Sequence, residues 1–204
     1  MKKYETILNV GAGKNIPLRL NDYLLVNMDP GYTFETSSIS DVYDKVIEKG
    51  KDYWKDNNSE TMYVRSEWEE FSSKFLGRFD RIVVYRYLEH VAMVQVPYFI
   101  YMMSTLLNQN GVFEGIVPDY KKLARLLLKE DPFEANFDQN NILLTTEIVN
   151  EPYDPHASVW TEDRIKYFFE LEGRFNVKEI VKDFNYDGRD IYIWFQAELK
   201  NIIR

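Results

Sequence analysis

The residues best suited to chemistry fall in three short stretches. Leu8-Asn9-Val10-Gly11-Ala12-Gly13 places a G-x-G turn directly after an apolar run. Glycines there let the chain bend sharply and let a ligand approach bare main chain. The same pair also serves many ordinary strand-to-loop turns. A dinucleotide fingerprint requires a third glycine at position 16, where the chain has Ile16, so NAD(P) is disfavoured. Asp29 closes the next apolar run. A carboxylate in that place can accept both hydroxyls of a ribose, or simply start the Asp29-Pro30-Gly31 turn. The nearby glycine pair favours the ribose. The third stretch runs from Phe79 to Val91 and carries Glu89 and His90 in a polar loop after an apolar strand. An isolated Glu-His pair is more often a salt-bridge partner beside a capping or core histidine. His156 is the other imidazole, and either ring could move a proton.

The elements that must position these residues alternate. Apolar runs at Thr6–Val10, Tyr23–Met28, Thr61–Val64, Phe79–Tyr85 and Val112–Val117 read as strands, several closed by Gly, Asp or Pro. Between them, Ile39, Val42, Tyr43, Val46 and Ile47 recur at helical spacing, continuing to Tyr53 and Trp54. Glu67–Leu76 predicts a short helix, and Val94–Leu107 a longer one with Pro97 in its first turn. Asn110-Gly111 reads as the stop before the fifth strand. Such alternation predicts an α/β fold whose mostly parallel sheet is covered on both faces. At the tail, Phe175–Phe184 and Asp190–Leu199 flank Asn185-Tyr186-Asp187-Gly188, a hairpin signal. Residues 120–160 interrupt the pattern: a helix over Tyr120–Lys129, then a stretch rich in Asn, Asp and Pro. An insertion there lies at the carboxyl edge of the sheet, as a substrate lid or as a surface elaboration; the pattern does not choose. Length and the absence of linkers or repeats predict one domain over 1–204.

Composition trims the function classes. The chain of 204 residues has no cysteine, which removes disulfides, thiolate metal sites and thiol nucleophiles together. With two histidines, no metal site is expected. Thirty-three acidic against 25 basic side chains give a net charge of -8, which disfavours nucleic acid as a partner. No apolar stretch predicts a signal peptide or a membrane span, so a soluble, cytoplasmic protein is expected.

Taken in order, these motifs resemble the class I S-adenosylmethionine-dependent methyltransferases, in particular a short bacterial and phage type with "LN-x-G-x-G…N-x-D" and "FD…LEH". The segment Leu107–Asp119 is similar to that family's "L-x-P-G-G-x-L…VPD", and His156 through Trp160-Thr161 to Gly173-Arg174-Phe175 to its "H…T…L…G-F". The resemblance spans Ile7 to Leu199, weakest over 120–155. It implies a Rossmann-like seven-stranded sheet in the order 3-2-1-4-5-7-6, with the last strand antiparallel. It further implies S-adenosyl-L-methionine as cofactor, with Asn9, Gly11, Ala12 and Gly13 along its methionine and ribose side and Asp29 on the ribose. Ser66, Glu67 and Trp68 (or the Trp68 backbone) would lie by the adenine, and Tyr85 and Arg86 in the loop facing the sulfonium.

Departures include Asn15 and Asn110 at positions usually Gly and Pro, and Glu114 in the fifth strand. Arg86 must turn away from a sulfonium or bind the methionine carboxylate. Methyl transfer is an in-line displacement that asks the protein to align an acceptor and exclude water. Where the acceptor carries a proton, His90 or His156 is the catalytic base that the reading offers. The missing cysteine rules out cytosine-C5 chemistry, and Tyr85-Arg86-Tyr87-Leu88 in place of N/D-P-P-Y/F disfavours base amino groups. A small molecule such as a sugar, or a protein, is left as acceptor. The competing class is the same fold without catalysis, serving as a structural or interaction protein through its 16% aromatic residues.

Overall fold

The computed structural model describes residues 5–12, 23–31, 35–48, 60–127, 156–186 and 188–200; Gly13 and most of the inserted stretch, 128–155, lie outside them. Seven strands form one sheet: β1 (Glu5–Val10), β2 (Tyr23–Met28), β3 (Glu60–Val64), β4 (Phe79–Tyr85), β5 (Leu107–Pro118), β6 (Phe175–Tyr186) and β7 (Arg189–Leu199). Their order is β3-β2-β1-β4-β5-β7-β6. The pairs among β1 to β5 are parallel, and β7 runs antiparallel to both β5 and β6. This is the expected order with the expected reversed strand.

Side-chain alternation along each strand sorts the apolar residues to two faces. Leu8, Val10, Ile82, Val84, Phe113 and Val117 join the larger core. That face receives α1 (Ile39–Glu48), α2 (Trp68–Ser72), α3 (Val96–Leu106) and α5 (Glu162–Glu172), through residues such as Val42, Phe71, Phe99 and Phe169. Ile7, Val83, Tyr85 and Ile116 look to the other side, where Leu123 of α4 (Tyr120–Leu127) packs. Burial on both faces is why these strands read as continuous apolar runs. Phe113 lies 5.1 Å from Phe169 and 5.9 Å from Phe195, ring centre to ring centre. Each such pair adds about 1 kcal/mol beyond simple burial.

Helix ends follow local chemistry. Ser38 Oγ accepts the Asp41 N–H while Asp41 Oδ2 accepts the Ser38 N–H, a reciprocal cap on α1. Thr161 Oγ1 accepts the Arg164 N–H at the start of α5, and Gly173 closes it at φ 79.

Two expectations are corrected and one is left outside the described residues. The helix expected over Glu67–Leu76 shortens to Trp68–Ser72, because turns follow that still bury Phe75. The α1 helix is described over Ile39–Glu48, and the expected continuation of its stripe to Tyr53 and Trp54 lies outside the described residues. Asn110-Gly111 does not stop the chain before β5: the strand begins at Leu107 and absorbs the bend. Asn110 takes φ 65, and the β4–β5 register slips between Phe79 and Arg81. The Asn-Gly pair makes a bulge inside the strand rather than a loop before it. Among the described residues no helix is long and apolar enough to cross a membrane.

Candidate active site at the carboxyl edge of the sheet

The parallel strands deliver their following loops to one edge. After β1, the Gly11 and Ala12 N–H groups both point at the Met28 carbonyl, at 2.9 and 3.5 Å, which fastens the glycine turn beside Asp29. Gly11 stands at φ 67. A Cβ on it would lie 2.0 Å from Tyr87 Cδ2 and 2.3 Å from Cγ. On that side the bare main chain is covered by the Tyr87 ring, not open to a ligand. Glycine is required here by backbone conformation and by the close approach of Tyr87 together.

Asp29 starts the Asp29-Pro30-Gly31 turn, one of the two roles its sequence position suggested. Its N–H donates to Val64 of β3 at 3.2 Å, and its Oδ1 accepts the Gly31 N–H at 2.7 Å, which makes the Asx turn. That turn holds the half-buried carboxylate at the edge next to Gly11. Asn9 is buried, and its amide donates to Asn27 of β2 at 2.9 Å, so its side chain cross-links two strands. Ser66 is buried with its hydroxyl on the Glu67 carbonyl. Trp68 joins the core, edge-on to Tyr98 and Phe99 at 5.5 and 5.4 Å. Glu67, between them, is exposed at the end of β3.

Tyr85 ends β4 and donates to Glu114 Oε1. Glu114 also accepts from Trp194 Nε1 at 2.8 Å and from Arg81 Nη1 at 2.6 Å, and Arg81 Nε reaches Glu5 at 2.8 Å. The acidic residue that looked out of place in β5 therefore anchors a polar network across β1, β4, β5 and β7. Burial, then the Glu114 charge, pushes the Tyr85 phenol far above its ordinary value, so it is a neutral donor. Arg86 takes φ 56, an uncommon backbone for a long side chain. Its guanidinium turns to the Tyr192 ring of β7, 5.9 Å from the centroid.

The last group gathers at the ends of β4 and β5. A single 3-10 turn, Leu88–His90, presents Glu89, fully buried, and His90. The segment before α5 returns against it: the Ala157 and Ser158 N–H groups donate to the Glu89 carbonyl at 2.6 and 3.0 Å. Ser158 Oγ donates to the Leu88 carbonyl and accepts from Trp160 Nε1. This brace sets the His156 ring 4.9 Å from that of His90, nearly perpendicular to it. Tyr120, the first residue of α4, places its hydroxyl 2.6 Å from His156 Nδ1. Burial, then the Glu89 charge, pushes the Tyr120 phenol well up, which keeps it neutral. Sequence reasoning named both histidines but missed Tyr120. Its only signal was a tyrosine directly after the Pro118-Asp119 end of β5.

No protein-family model matches the chain, and no curated protein matches its sequence. Solved structures do match. One is the 1,6-didemethyltoxoflavin-N1-methyltransferase of Burkholderia thailandensis, with 1,6-didemethyltoxoflavin and S-adenosylhomocysteine bound; its TM-score is 0.55 at 14% identity, over 98% of this chain and 72% of that one. The chain has the S-adenosylmethionine-dependent methyltransferase fold. A methyltransferase of Methanosarcina mazei gives a TM-score of 0.55 at 15% identity, over 98% and 94% of the two chains. The mycolic acid cyclopropane synthase CmaA1, complexed with S-adenosylhomocysteine, gives 0.56 at 18% identity. There the methyltransferase fold covers 89% of this chain but only 58% of the synthase.

Proposed function

We propose that this protein is an S-adenosyl-L-methionine-dependent methyltransferase acting on a small molecule or a protein. The observation that carries the reading is the placement of Asp29 beside the Gly11 turn, at the carboxyl edge of a sheet ordered β3-β2-β1-β4-β5-β7-β6. The donor set suits the cofactor: an Asx-braced carboxylate for ribose hydroxyls, and an exposed second carboxylate, Glu67, one strand further out. Asp29, Glu67 and the Gly11-Ala12 turn, on the side away from Tyr87, would hold it; Gly13 lies outside the described residues. Asn9, Ser66, Trp68 and Tyr85 act behind them, since their side chains are buried in the contacts described above. Once bound, the cofactor supplies a methyl group already activated on a sulfonium. The Arg86 guanidinium turns toward the Tyr192 ring, which suits the expectation that this cation stays away from a bound sulfonium.

The chain's own task is to align the acceptor and keep water out. His90 and His156 lie at the acceptor end of this edge, and in the metal-free protein His156, oriented by Tyr120, is the group to take a proton from an acceptor hydroxyl. The described elements and the stretch 120–160 belong to one domain on this reading. Calorimetric titration with S-adenosylhomocysteine tests the proposal. Micromolar binding in the wild type, weakened at least tenfold in Asp29→Ala, is the expected result. Absence of heat from the wild type favours the non-catalytic scaffold instead.

A further inference from the structure

The chain contains two histidines, and the fold brings both to one point together with a buried carboxylate. One potential ligand atom from each of Glu89, His90 and His156 lies within 4.8 Å of the other two. We infer that Glu89, His90 and His156 form a binding site for one divalent transition metal ion of the zinc, iron(II) or manganese class. Two imidazoles and a carboxylate are the ligand set such ions take, with further coordination positions left for water or a substrate oxygen. A tetrahedral ion holds ligand atoms about 3.4 Å apart at bond lengths of about 2.1 Å, so the three groups need to draw in by at most about 1.4 Å.

Three further features favour a built site over a chance meeting. The ligands come from only two segments; three hydrogen bonds from Ala157 and Ser158 to the Leu88 and Glu89 carbonyls lock those segments together, and Trp160 Nε1 holds the Ser158 hydroxyl in place. Tyr120 holds the His156 ring from behind, as outer contacts orient metal-ligating histidines. Glu89 is fully buried, where the charge of a carboxylate is costly and a divalent cation offsets it. The site lies at the ends of β4 and β5, where the acceptor would stand. A bound ion would lower the pKa of an acceptor hydroxyl and replace the imidazoles as the means of activating it. That consequence rests on the methyltransferase reading; metal binding itself does not.

The test uses the full chain, stripped with a chelator and free of cofactor. Cobalt(II) is titrated and followed by visible ligand-field absorption, and zinc(II) by calorimetry. One equivalent of each binds to the wild type. Binding falls at least a hundredfold in His156→Gln and in Glu89→Gln. Tyr120→Phe keeps all three ligands and weakens binding by about 10- to 100-fold. It keeps the proposal testable if a ligand variant fails to fold. Failure of the wild type to take up one equivalent, or uptake unchanged in these variants, overturns the site. S-adenosylhomocysteine binding is measured on the same preparations, so loss of either activity is read separately from the other.

Discussion

Alanine at position 11 would impose two separate penalties, and the structure allows them to be separated. The first is conformational: at φ 67 an L-residue costs about 1–2 kcal/mol. The second is overlap with Tyr87, whose Cδ2, Cγ and Cβ would lie 2.0, 2.3 and 2.7 Å from the new methyl. Forcing that much extra volume against a packed ring costs about 1–3 kcal/mol. Gly11→Ala should therefore destabilise by about 2–5 kcal/mol, the sum of those ranges. Tyr87→Ala removes the two shortest contacts and leaves only the one at 2.7 Å. In that background Gly11→Ala should cost about 1–2 kcal/mol less, since the overlap with the ring is gone while the backbone term and the contact at 2.7 Å persist. Urea unfolding of the wild type, both single variants and the double variant measures the coupling. Additivity within about 0.5 kcal/mol would refute the claim that Tyr87 occupies this space.

Two other perturbations probe the buried polar groups. Glu114→Gln places an amide where three donors converge, and should lower stability by about 2–3 kcal/mol; Glu5→Gln, on the more exposed side of Arg81, should cost less than about 1 kcal/mol. Equal losses by urea unfolding would contradict a network centred on Glu114. Burial pushes the Glu172 carboxyl above its ordinary value, against the lowering effect of the Arg174 N–H and guanidinium. The folded chain then holds that proton to higher pH than the unfolded chain, so wild-type stability falls relative to Glu172→Gln as pH rises through and beyond the ordinary carboxylate range. Parallel pH profiles for the two proteins would exclude this effect.

The strand framework was legible because its causes are local. Tyr23–Met28 and Phe79–Tyr85 occupy the spans that their apolar runs predict, and Thr161 and Gly173 end α5 as their chemistry requires. Sheet order followed from a resemblance carried by several motifs in sequence, and the structure has it. Side-chain partners were another matter, since a buried polar group needs a partner and the sequence does not say which distant element supplies it. Asn9 finds Asn27, the anomalous Glu114 finds Arg81, Tyr85 and Trp194, and Trp68 turns into the core. Gly11 is a glycine partly because of Tyr87, a contact that no local pattern contains. His90 and His156 looked like two isolated imidazoles, too few for a metal. Only chain crossing at the ends of β4 and β5, braced through Ser158, puts them and Glu89 within reach of a single ion.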